Sequence, residues 1–335
     1  MSVLLYFDNG LLYFDNGLKL HLLQVYMRTF NIQFLYPREY IPFGLYIRSL
    51  CNIFTTNPYF ASTKMNISFI NNIEMLSPKT ELLFMYLNGV KTIDIEIPIT
   101  TKVIFIQGDY IINHNRDDFN FMYNYANIKN PSNTYILEYN PLNVRFYNNN
   151  FTNLKYGYIP LLYSNYLEQI YEPHRLNIPL SQRPIDVLYL GSLNDRREKM
   201  IHIIRNKYNL VQVQFITDIK EYVELIEKSK LVINIFSKED NKPFDYYRLA
   251  FLYSNKVMVI NEQMEHIDPS IDEIPQIMSP VMINVEYPDL PNAIDKYLSK
   301  TEQEINCITE RTYDIFKQFD MNTRVVDFFQ QYNLL

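Results

Sequence analysis

Short apolar runs alternate with amphipathic stretches of helical length through the second half of the chain. Residues 187–190, 211–215, 231–236 and 257–260 are rich in Val and Ile and bounded by polar residues, so they predict buried strands. Between them, 195–208 places Met200, Ile203, Ile204 and Tyr208 on one face. Residues 219–229 do the same with Tyr222, Val223 and Ile226, again the spacing of a helix. A third helix is predicted to open at Pro243, because a first helical turn tolerates the missing N–H, and to run to Tyr253. A last strand is predicted over 281–285, and 290–298, 301–319 and 322–332 read as helices. Strands spaced by helices imply a parallel sheet with right-handed crossovers.

The first half is less regular. Residues 102–107 (KVIFIQ) and 134–139 (TYILEY) predict buried strands, and 156–160 predicts a short one stopped by Pro160. Shorter strands are expected at 32–36 and 67–70, and 82–87 is an apolar run closed by the Asn88-Gly89 turn. Residues 93–97 alternate with acidic residues, as an exposed strand would. Residues 31–60 are aromatic and poorly periodic, with Pro37 and Pro42 breaking the chain, so no helix is expected there. The heptapeptide LLYFDNG occurs twice, at 4–10 and 11–17. Either the copies pair as a hairpin, or, as the preferred reading, one is a tandem duplicate and the other is the first strand of the sheet, leading into a helix over 18–30.

A length of 335 residues suits two domains. The expected division is 1–160, a linker at 161–183 stiffened by Pro173, Pro179 and Pro184, a second domain at 184–320, and a C-terminal helix at 321–335 that can cross back to the first domain. The fold class is α/β.

Composition narrows the chemistry. A net charge of −6 argues against a nucleic-acid binder. Cys51 and Cys307 form no disulfide framework or metal spacing, which fits a reducing, cytoplasmic setting. His21, His174, His202 and His266 are isolated, so no metal is expected. No apolar run is long enough for a membrane span. The N-terminus lacks a basic region and Asp8 interrupts its apolar start, so no signal peptide is expected. The abundance of Tyr, Asn and Ile and the absence of Trp look like an AT-rich coding genome, such as that of a large DNA virus.

Two strand–helix loops carry the candidate residues. The loop after 231–236 and the helix start beyond it hold Ser237, Lys238, Glu239, Asp245 and Arg248. Open α/β sheets place ligands at such loops. Upstream, Gly191-Ser192 makes a tight turn, Asn194 or Asp195 can cap the next helix, and Arg196 and Arg197 fall in its first turn. Cations there oppose the helix dipole. An anion at the turn explains them, since backbone N–H groups and a guanidinium suit phosphate. The plainer readings are two surface arginines, an Asp245–Arg248 ion pair one helical turn apart, and a core aromatic at Phe236. No Gly-x-Gly-x-x-Gly follows a strand, which disfavours a nicotinamide dehydrogenase.

The order Asp186-Val-Leu-Tyr-Leu-Gly191-Ser192-Leu-Asn194-Asp-Arg196-Arg197, then Ile233-Asn234-Ile235-Phe236, Phe244-Asp245-Tyr-Tyr-Arg248 and Val259-Ile-Asn-Glu262 resembles the nucleotide-sugar half of a group-1-like GT-B glycosyltransferase. The resemblance implies two Rossmann-like domains facing a cleft (GT-B) and metal-independent glycosyl transfer without a cofactor. The partners would be a nucleotide-sugar donor and a glycan, protein or lipid acceptor. It implies that Arg196 or Arg197, with the Gly191-Ser192 backbone, faces the donor diphosphate, that Asp245, standing where the family has Glu, takes the ribose, and that Arg248 lies near the phosphates or fixes Asp245. Phe236 and Ser237 would line the base or sugar pocket, and Glu262 closes the motif. In the first domain, Gln107 and Asp109 match a family segment at the cleft, and Asp109 or His114 is the candidate general base. The alternative is a non-catalytic protein that keeps the fold and uses it for binding.

Overall fold

Two all-parallel sheets organise the chain in the computed structural model. It describes residues 5–8, 11–14, 29–35, 41–61, 63–71, 73–86, 97–106, 131–150, 154–214, 216–239, 242–265 and 268–335. Asp109 and His114, the helix expected at 18–30 up to residue 28, and most of the strand expected at 93–97 lie outside these residues.

β1 (Leu5–Asp8) and β2 (Leu11–Phe14) pair antiparallel with Leu5 opposite Phe14. The repeated heptapeptides therefore pair with each other, and neither supplies a strand of the larger sheet. The hairpin is the arrangement found, and the expectation that one copy is the first strand of the large sheet is corrected.

The first large sheet holds β3 (Thr29–Leu35), β4 (Lys64–Ile70), β5 (Leu82–Tyr86), β6 (Lys102–Ile106), β7 (Thr134–Glu138) and β8 (Tyr156–Tyr158), in the order β4-β3-β5-β6-β7-β8. The second holds β9 (Ile185–Leu190), β10 (Leu210–Val213), β11 (Ser229–Asn234), β12 (Val259–Glu262) and β13 (Ile283–Val285), in the order β10-β9-β11-β12-β13. In both, the first strand lies one in from the edge and the chain leaves it in both directions. The carboxyl ends of the two strands that flank this reversal are the usual ligand position of such sheets. β7, buried at every position, reads as a continuous apolar run with Glu138 at its end, as a strand covered on both faces should.

Between β3 and β4 lies α1 (Ile41–Thr56), a helix where none was expected. Pro42 stands in its first turn and breaks nothing. Tyr46, Leu50, Ile53 and Phe54 recur at helical spacing and are buried together against Phe34, Phe60 and Phe84. The other α-helices among the described residues are α2 (Pro141–Asn150), α3 (Asn165–Tyr171), α4 (Asp195–Arg205), α5 (Ile219–Glu227), α6 (Tyr246–Ser254), α7 (Ile274–Met278), α8 (Leu290–Leu298), α9 (Glu302–Phe316) and α10 (Met321–Gln331). α6 opens three residues after the expected Pro243. Asp245 is its N-cap, accepting from Arg248 N, so the proline precedes the helix.

The two sheets share one apolar core. Ile32, Phe34 and Leu50 of the first unit belong to the same buried cluster as Leu188, Val232 and Phe251 of the second. The segment 161–183 carries α3 and buries Leu161, Leu162 and Leu167 in that cluster. Asp272, 3% exposed, ties the units by polar contacts: its Oδ2 accepts from Tyr158 of β8 at 2.9 Å and from Tyr246 of α6 at 2.6 Å. α10 lies on the first unit. Phe329 meets Phe54 and Phe60 with ring centres 5.2 and 5.3 Å apart, and the Tyr332 hydroxyl donates to the Tyr156 carbonyl at 3.0 Å. Phe328 covers Gly157 so closely that a Cβ there would fall 2.3 Å from its ring. Among the described residues, no helix is long and apolar enough to cross a membrane.

Candidate functional site

The carboxyl ends of β9 and β11 meet the starts of α4 and α6, and the predicted donor residues converge there. β9 runs into Gly191, whose N–H donates to the Val213 carbonyl at 2.9 Å and whose carbonyl accepts from Gln212 Nε2 at 3.0 Å. A Cβ on Gly191 would lie 2.9 Å from the Tyr189 hydroxyl and 3.2 Å from Arg248 Nη2, so only glycine lets Arg248 approach this turn undisturbed. Ser192 is exposed beside it. Asn194 caps α4 by accepting from Arg197 N at 3.0 Å, and its Nδ2 donates to the Ser237 carbonyl at 2.8 Å. One side chain thus fixes the helix start and joins the two loops.

Three arginines reach this crevice with different partners. Arg196 is neutralised: its Nη1 and Nη2 donate to Glu262 Oε2 and Oε1 at 2.9 and 2.5 Å, and Nη1 also donates to the Phe236 carbonyl at 2.9 Å. Its guanidinium lies 3.9 Å over the Tyr287 ring. Burial pulls its proton affinity down, but the Glu262 bonds outweigh this and leave it raised. Arg248 pairs with Asp245, one turn earlier, at 3.3 Å, and donates to Asn234 Oδ1.

Arg197 differs from both. Its Nε donates to the Ile235 carbonyl at 3.0 Å and its Nη1 to the Ser192 carbonyl at 3.1 Å. Neutral carbonyls aim it across the Gly191-Ser192 turn, and among the described residues no carboxylate lies within ion-pair distance of it. Burial, with the nearby Arg248 and Arg196 cations, lowers its proton affinity, although Tyr189 and the Asp245 carboxylate pull the other way. A half-buried cation with neutral partners at a crevice is a place for an anion.

The remaining predicted residues are layered. Ser237 is exposed and Asp245 half-buried at the loop surface. Phe236, 7% exposed, and Glu262, fully buried, lie underneath. Glu262 accepts from Phe236 N at 3.0 Å as well as from Arg196, and Lys242 Nζ stands 3.6 Å from it. Its contribution to a ligand is therefore indirect, through the groups it holds. Asn234, Asn261, Tyr189 and Tyr287 border the site and were not singled out for roles. The available signal was an Asn inside each of two apolar runs, Ile233-Asn234-Ile235 and Ile260-Asn261. Away from this site, a groove of about 1020 Å³ lies between α1, β4, α3 and the start of α5, with Leu45, Ile47, Phe69, Met75 and Ile170 among its walls. No group of three or more His, Cys, Asp or Glu among the described residues could hold a metal ion.

No protein-family model and no curated protein sequence matches the chain. Among solved structures, the N-terminal domain of Candida albicans trehalose-6-phosphate phosphatase is similar to it with a TM-score of 0.52, over 91% of this chain and 96% of that one. The chain has a GT-B-like fold. At 7% identity the likeness concerns the fold alone.

Proposed function

We propose that this protein is a glycosyltransferase that moves a sugar from a nucleotide-sugar donor to an acceptor hydroxyl without a metal ion. The observation that carries the reading is Arg197, a carbonyl-anchored cation with no carboxylate of the described residues within ion-pair distance, set over a glycine turn at the strand reversal of a parallel sheet. In this reading the donor diphosphate lies against the Gly191-Ser192 backbone and the start of α4. Arg197 and Arg248 bind its oxygens. Preorganised cations of this kind stabilise the charge that develops on the departing diphosphate.

Asp245 already accepts from Arg248 and from the α6 backbone, but a carboxylate has lone pairs to spare for ribose hydroxyls. Phe236 and Ser237 border the base or sugar. Arg196 and Glu262 form the support beneath. The acceptor approaches from the first unit, where Asp109 or His114 is the candidate base. The structural neighbour's name includes a sugar phosphate, which agrees with a sugar-directed role.

The test is thermal unfolding with UDP-, GDP-, ADP- and CMP-linked sugars, for wild type, Arg197→Ala and Asp245→Ala. A ligand of the native state must raise the melting temperature. A rise with one nucleotide class, lost in either variant, supports the proposal and identifies the donor. No rise at millimolar ligand overturns it in favour of a binding protein that has kept the fold.

A further inference from the structure

Beneath Arg248, two amide side chains are buried within the strands. Asn234 ends β11 and Asn261 lies in β12, directly opposite each other in the parallel register, and both are fully buried. Their strand neighbours are Ile233 and Ile260, at 0% exposure. Buried amides cost free energy unless hydrogen-bonded, so their partners show what they serve. Arg248 Nη1 donates to Asn234 Oδ1. Asn234 Nδ2 donates to Asn261 Oδ1 at 3.4 Å, and Asn261 Nδ2 donates to the Tyr253 hydroxyl at 2.9 Å and the Ile283 carbonyl at 3.4 Å. Tyr253 is on α6, five residues after Arg248, so the chain of bonds returns to the helix it began on.

Every donor in this chain points away from Arg248. The amide dipoles are aligned, each bond polarises the next, and the carbonyl end faces the guanidinium. We infer that Asn234, Asn261 and Tyr253 are positioning residues, a buried relay that holds the Arg248 guanidinium over the Gly191 turn for a phosphate oxygen. This rests on the diphosphate-binding reading given above.

The experiment is a double-mutant cycle read by calorimetric binding of inorganic pyrophosphate. Asn261→Leu is expected to weaken binding about tenfold and Tyr253→Phe about threefold. In an Arg248→Ala background neither change should have a further effect, because the relay acts only through that guanidinium. Equal losses in both backgrounds, or no loss in either, would overturn the relay while leaving the diphosphate site standing. Failure of wild type to bind pyrophosphate would remove the site and the relay together. Tyr253→Phe changes one oxygen in an apolar surround, so it completes the cycle even if Asn261→Leu does not fold.

Discussion

Glu138 and Glu262 occupy the same position in their two sheets, the last residue of a parallel strand, and neither has any exposed surface. Their partners differ. Glu138 accepts from four neutral donors: Tyr139 N, Asn140 N, Asn143 Nδ2 and the Tyr147 hydroxyl, at 2.8–3.1 Å. Glu262 accepts from a bidentate guanidinium. The neutral cage closes the end of β7 and starts α2, a structural task. The ionic pair at β12 belongs to a cluster in which Arg196 and Arg248 have carboxylates at ion-pair distance and Arg197, among the described residues, does not. Equal burial of a carboxylate says little by itself. The charge of what surrounds it separates scaffold from site.

That contrast can be tested, beginning with the largest effect. Burial pushes the Glu138 carboxyl from an ordinary 4.5 up to about 8, even though its four donors pull it down. The folded state then holds a proton that the unfolded state has released. Stability contributed by this group is therefore full below pH 4.5 and falls as pH rises towards 8, by on the order of 4–5 kcal/mol. Urea unfolding across that range should show the fall in wild type and a flattened curve in Glu138→Gln.

Glu262→Ala leaves Arg196, in a largely buried place, with only the exposed Glu239 carboxylate 3.6 Å from its Nε. A loss of about 3–5 kcal/mol is expected in the same assay, and restoring the carboxylate with Asp should recover part of it. Gly157→Ala forces Phe328 and α10 off the first unit at a cost of about 2–3 kcal/mol, seen as a lower melting temperature. Asp245→Ala removes the α6 cap and should cost only about 1 kcal/mol of stability. Its larger effect is on ligand binding, which distinguishes a capping residue from one that also meets a ribose.

The second sheet was largely legible because fully buried parallel strands are continuous apolar runs. The expected 187–190 and 231–236 overlap β9 and β11, and α8 begins and ends where its periodicity does. The first unit was harder. α1 was hidden by Pro37 and Pro42, although Tyr46, Leu50, Ile53 and Phe54 already carried its spacing. The convergence of the candidate site followed from motif order. The division of labour within it did not. Arg196 and Arg197 are adjacent and identical in type, and only the pairing of β11 with β12 brings Glu262, 66 residues away, to one and not the other. Asn234 and Asn261 become a pair only in register.

Arg197 is the most direct point of attack. Calorimetric titration of UDP, GDP, ADP and CMP into wild type and Arg197→Ala should show one nucleotide binding to the wild type. The variant should bind it at least about tenfold more weakly while keeping its melting temperature, since a charge-assisted bond to phosphate is lost and no buried ion pair is broken. Undiminished binding in Arg197→Ala, or no binding of any nucleotide to wild type, would contradict a diphosphate site at the Gly191-Ser192 turn.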